Sequence, residues 1–147
     1  MEAFTFMSSD ANVALIQGAY ADFQTGNISS LLERLSDDVS WYNPSPPEIV
    51  PQGGLRKGKA AVADFFAILA RDLEFTKFEP HQFIASDDSV VARVSYAATL
   101  RSTGVNIAEE SAMFFRIRDW KIVEFREYVD TRPVVAAYAA QPAGARR

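Results

Sequence analysis

Apolar residues recur at helical spacing near the start of the chain: Val13, Ile16, Tyr20 and Phe23 stand three, four and three residues apart within 11–24. That stripe predicts an amphipathic helix, with Ser9 or Asp10 as N-cap and Gly26 as its stop. ISSLLERL at 28–35 reads as a second, short helix, and VSWYN at 39–43 as a strand ending at Pro44. PSPPEIVPQGG places four Pro and two Gly in eleven residues, which predicts a long loop over 44–57 bordering any pocket mouth at that strand end. A third helix is expected over 59–73, with Val62, Phe65, Phe66, Leu69 and Leu73 on one side. From residue 74 the period falls to two. Strands are expected at 75–86, 89–101, 106–118 and 121–130, and the short connections RSTG and RDW make the last three antiparallel. TRPVVAAYAA suits one or two last helical turns. Helices followed by a run of strands argue for an α+β fold in one domain over 1–139, with a mobile tail at 140–147.

Successive strand side chains face opposite ways, so each strand splits by parity into an inner and an outer half. The apolar half of the strand at 89–101 is Val90, Ala92, Val94, Tyr96, Ala98 and Leu100; the next strand turns Ile107, Met113, Phe115 and Ile117 inward with Glu109 and Ser111 among them. In the last strand Val123, Phe125, Glu127 and Val129 share one face, and Glu127 is the exception on it. An inward carboxylate costs several kcal/mol unless it is paired, hydrogen-bonded or protonated. Two readings are open: a functional acid, or a side chain at the strand end that reaches solvent or an Arg. The outward residues Arg93, Glu110, Phe114, Arg126 and Tyr128 mix aromatic and opposite charges and suit a two-fold homodimer interface.

A length of 147 residues, 48 % of them hydrophobic, allows one domain with a substantial core. A net charge of -4 and a pI near 5.0 oppose binding to nucleic acid or an anionic membrane. Cys is absent, which excludes disulfides and thiolate chemistry. The first ten residues lack a basic leader region and no apolar run is long enough to span a bilayer, so a cytoplasmic protein is expected. Gly53-x4-Gly58-Lys59 imitates a phosphate loop, but Ala60 stands where a magnesium-ligating Ser or Thr is required, and the reading preferred is a glycine turn into the third helix. His81 is the only histidine and no nucleophile elbow accompanies it, so it reads as a partly exposed structural residue. Glu109 and Glu110 are adjacent and face opposite ways, which argues against a catalytic dyad, and Asp37-Asp38 reads as a solvated turn.

LIQGAYADFQTGN with LLERLSDDVSWYNP, GLRKGKAAVADFFAIL and MFFRIRDWKIVEFREYVDT together resemble the SnoaL-like polyketide cyclases of the nuclear transport factor 2-like superfamily, over about residues 10 to 138. Ketosteroid isomerase and limonene-1,2-epoxide hydrolase are relatives. The resemblance implies a cone-shaped, curved antiparallel sheet wrapped around about three helices, a pocket at its wide end and frequently a dimer. It implies Glu127 as acid/base, with Met113 where cyclases carry a His. The isomerase base position is Asn43, and its oxyanion Tyr falls at Ala19. For an epoxide hydrolase Glu127 and Asn43 are usable, whereas the required Arg and second Asp fall at Val94 and Tyr96. Catalytic candidates are therefore Glu127 and Asn43, and ligand-binding candidates are Trp41, Tyr96, Met113, Phe125, Ser111 and Tyr20. The activity implied is isomerisation or cyclisation of a lipophilic carbonyl compound, without metal or organic cofactor, Asn43 and Tyr96 donating to an enolate or positioning a water. Epoxide hydrolysis and non-catalytic ligand binding are the alternatives.

Overall fold

The structure is a computed structural model that describes residues 8–140. Helix α1 spans Ser9–Gln24. Its N-cap is Ser8, one residue before the pair expected, because the Ser8 hydroxyl is the oxygen that reaches Ala11 N, at 3.1 Å. Gly26, at φ 75°, turns the chain into α2, Ile28–Glu33. Strand β1 begins at Leu35 and ends at Asn43. Asp37 and Asp38 therefore lie within a strand and not in a turn, at its solvent-exposed start.

The Pro-rich segment does not remain irregular throughout: Gly54–Lys57 form a short strand, β2, paired antiparallel to Ser40–Asn43. Gly53 has no room for a side chain, since a Cβ there would lie 2.1 Å from the Ser45 carbonyl oxygen. Gly58, at φ 85°, caps α3 (Lys59–Asp72) and donates its N–H to Val39 O, so this stretch is a turn into a helix.

Strands β3 (Leu73–Ser86), β4 (Ser89–Leu100), β5 (Asn106–Arg118) and β6 (Lys121–Tyr128) form an antiparallel meander. Asp119 and Trp120 both have positive φ, as a two-residue type I′ hairpin requires. The six strands make one curled, unclosed sheet in the order β2-β1-β6-β5-β4-β3, and β1 joins β6 in parallel. The sheet is thus mixed, antiparallel everywhere except at that seam. A fourth helix, α4, covers Arg132–Ala139. Of the tail expected at 140–147, Ala140 caps α4 and residues 141–147 lie outside the described residues.

Four helices lie over the inner face, where Ile16, Leu35, Val39, Val62, Val90 and Val94 are fully buried. The parity of β4 and β5 holds along their length. In β6 it breaks. Arg116 pairs with Glu124 and Ile117 with Ile122, so Val123 is an extra residue in a bulge, and Ile122, at 1 % exposure, takes the inner position expected for Val123. Beyond the bulge Phe125 and Glu127 face inward. His81 is exposed on β3, its Nε2 2.7 Å from Ser95 Oγ.

Candidate functional site

The site lies where β1, β4, β5 and β6 turn their inner faces toward the helices. The register sets Met113 opposite Glu127 and Trp41 opposite Phe125 in parallel, bringing Asn43, the last residue of β1, beside Glu127. Glu127 is buried, at 6 % exposure, and its two oxygens are held by three neutral donors. Asn43 Nδ2 donates to Oε1 at 3.1 Å; Tyr96 Oη and Ser111 Oγ donate to Oε2 at 3.0 and 2.9 Å. Asn43 cannot turn its amide over freely, because its Oδ1 already accepts from Ser45 N at 3.0 Å.

Burial raises the pKa of Glu127 above the ordinary carboxylate value, and the bonds from Ser111 and Tyr96 oppose that rise. A carboxylate offers about four lone-pair directions. Three are occupied, so Oε1 keeps one free. Tyr20 and Tyr96 are likewise raised, chiefly by burial and then by the negative charge of Glu127. Tyr20 donates to the sulfur of Met113 at 3.2 Å, a weak acceptor.

A cavity of about 110 Å³ adjoins this group. Its walls are mainly rings: Trp41 stacks on Phe125 at 4.1 Å, Tyr20 meets Phe115 edge-on at 5.8 Å, and Tyr96 lies against Phe78 at 6.2 Å. Such walls favour a flat, apolar guest. Ser45 and Gln52 bring the Pro-rich segment to the cavity wall, and Val134 brings α4. Tyr138 Oη ties these together, 2.8 Å from Asp72 Oδ2 and 3.0 Å from Gln52 Oε1.

Of the residues expected from sequence, Trp41, Asn43, Tyr96, Met113, Phe125, Tyr20 and Glu127 line the cavity, while Ser111 stands behind Glu127 and holds it. Asn43 and Tyr96 differ from expectation in one respect: their donors are spent on the carboxylate and not directed at a ligand. Glu109 is not among these candidates. It is 9 % exposed, lines the same cavity, and among the described residues no donor or cation bonds its carboxyl. Burial, then Asp130, then Glu127 push its pKa up to about 7. The signal was the parity that marked Glu127, since Glu109 occupies an inner position of β5. Gln52 carried no comparable sign, because an aperiodic segment has no inner face. Among the described residues no three His, Cys, Asp or Glu side chains cluster as a metal site, and no helix is long and apolar enough to cross a membrane.

The model of the SnoaL-like domain matches residues 16–125. Among solved structures, a nuclear transport factor 2-like protein from Burkholderia xenovorans LB400 is 25% identical with a TM-score of 0.82, covering 90% of this chain and 98% of its own. TerC, co-crystallized with polyporic acid, is 24% identical with a TM-score of 0.78, covering 88% and 99%. A protein provisionally assigned as a polyketide cyclase, from Xanthomonas campestris pv. campestris, is 20% identical with a TM-score of 0.76, covering 89% and 98%. Among curated proteins none matches significantly. The matched segment stops two residues before Glu127.

Proposed function

This chain belongs to the SnoaL-like domain family, and we propose that it is a cofactor-free isomerase or cyclase of a small lipophilic carbonyl compound, with Glu127 as acid/base. One observation carries the reading: a buried carboxylate, held by three neutral donors, keeps one free lone pair beside a ring-walled cavity. Glu127 Oε1 removes a proton from the carbon next to the ligand carbonyl. The electron pair moves into the carbonyl, giving an enolate, and the same proton returns at a different carbon in an isomerisation. A carboxyl group with a raised pKa can hold that proton and release it near neutrality. Asn43, Tyr96 and Ser111 keep the carboxylate in place. Tyr20 supplies the donor for the enolate oxygen, because exchanging the Met113 sulfur for an oxyanion replaces a weak acceptor by a strong one. TerC, of the same fold, was co-crystallized with polyporic acid, in keeping with a small organic ligand here.

The test is deuterium incorporation next to the carbonyl of cyclohexanone-sized ketones in D2O, followed by NMR. The native protein should accelerate it, and Glu127→Gln should lose at least about a hundredfold, the usual range for a general base, while still binding the ketone. Equal exchange rates in both proteins would refute the assignment. The Asn43–Glu127 bond favours one second reading, an epoxide hydrolase in which the pair holds a water. Incorporation of labelled oxygen from water into product would decide for it. Neither exchange nor labelling, with binding retained, would leave a ligand-binding module. The proposal extends to a cytoplasmic homodimer joined by the outer sheet face, where Arg126 lies 4.4 Å over the Tyr42 ring and Tyr128 is 58% exposed.

A further inference from the structure

No Lys, Arg or His is among the residues that line the cavity, whereas two carboxyl groups are. One of them, Glu127, is satisfied by neutral donors. The other, Glu109, is 9 % exposed as a residue, its carboxyl keeps some contact with water, and it has no side-chain or backbone partner among the described residues. The ionisable groups that face it are Tyr96 across the β4–β5 ladder, Glu127 on β6, and Asp130 just beyond β6. None of these is a cation. Asp130 has its own counter-ion, Arg132, 2.8 Å away at the exposed rim.

We propose that the cavity selects a cationic ligand, a small aromatic or alicyclic amine whose ammonium group pairs with Glu109 while its reacting end lies against Glu127. The inference rests on the cavity being the ligand site, as read above, and adds the class of ligand. Three charge types can be compared. An anion would meet two carboxyl groups and the negative faces of the rings. A neutral guest would give Glu109 no counter-charge. An ammonium ion gives the Glu109 carboxylate a charge-assisted bond, and the rings beside it are attractive to a cation: Tyr96, opposite Glu109 in the register, groups with Phe75 at 6.1 Å and Phe78 at 6.2 Å. Distance agrees. Glu109 and Ser111 share a face of β5 two residues apart, about 6.6 Å by strand rise. Ser111 in turn holds Glu127 at 2.9 Å. A single six-membered ring with one substituent spans such a gap, and its size suits the cavity.

Benzylamine, benzyl alcohol and benzoate are nearly equal in shape and differ in charge, so their binding, read by Trp fluorescence and calorimetry, tests the proposal. At pH 7.5 benzylamine should bind about tenfold more tightly than benzyl alcohol, the usual worth of one charge-assisted bond over a neutral one, and benzoate should not bind. Glu109→Gln should reduce benzylamine to the level of benzyl alcohol and leave benzyl alcohol unchanged. Two measurements on the native protein do not depend on the variant folding. The preference for benzylamine should shrink between pH 7.5 and 5.5, where Glu109 becomes protonated. At pH 7 binding should release protons, seen as different heats in phosphate and Tris. Retained preference in the variant, together with a flat pH response and no proton release, overturns the amine assignment while leaving the cavity a binding site. Binding of none of the three probes overturns the cavity reading itself, and the assignment with it.

Discussion

Glu109 makes a prediction about stability that is independent of any ligand. Its pKa is pushed from an ordinary value of 4.5 to about 7. At about 1.4 kcal/mol per pH unit that difference corresponds to about 3 kcal/mol between the two protonation states. The carboxyl lines the cavity and keeps some contact with water, so the figure is reduced to about 1–2 kcal/mol. An acid whose pKa is raised on folding binds its proton more tightly in the native state. Its favourable contribution is complete below the unfolded value, near pH 4.5, and is lost as pH rises through about 7. Glu109→Gln cannot titrate. Relative to the native protein it should therefore gain about 1–2 kcal/mol between pH 4.5 and 8, about 2–8 °C in Tm for a domain of this size. Urea unfolding across that range, compared through midpoints at constant m-value, measures the difference directly. Parallel stability curves for the two proteins would refute the reasoning, because Glu109 would then have the same pKa folded and unfolded.

Three further outcomes are expected. Tyr96→Phe removes one of the three bonds to Glu127; it should raise the carboxyl pKa further, move the pH–rate profile for deuterium exchange upward, and cost about 1 kcal/mol in urea unfolding. Gly53→Ala sets a Cβ 2.1 Å from the Ser45 carbonyl oxygen and must displace the segment bearing Ser45 and Gln52. It should cost at least about 2 kcal/mol and weaken ligand binding, a loss that calorimetry reads. Light scattering at micromolar concentration should give a dimer mass, reduced to a monomer by Arg126→Glu together with Tyr128→Ser.

The residues that reported most from sequence are those on regular strands. The alternation in β4 and β5 separates inner from outer residues correctly along both strands, and in β6 it marks Phe125 and Glu127 as inward, because a period of two depends only on local geometry. The same logic misassigned Val123, since a bulge adds one residue and reverses parity on one side of it, and nothing in KIVEF announces a bulge. The parallel seam was also hidden. β1 and β6 are joined by pairing across more than eighty residues, and no turn between them reports its direction. Gly54–Lys57 pair along an edge next to a Pro-rich stretch, where composition argues against any strand. Glu109 was visible as an inner residue. What singles it out is the absence of a partner in three dimensions, which a single strand cannot express.

The parallel seam also orders events during synthesis. Ser40–Tyr42 pair with Glu124–Arg126, and in the completed sheet β1 lies between β2 and β6. While the chain is being made, β1 leaves the ribosome long before β6 exists, with β2 as its one strand neighbour. Asn43 then has no carboxylate to hold, and Trp41 no Phe125 to stack on. Closing so long a loop is slow compared with forming the local β3–β6 meander. Docking of β1 on β6 is therefore the step that creates the site, and a chain that stops short of residue 127 lacks the carboxylate that Asn43, Tyr96 and Ser111 hold.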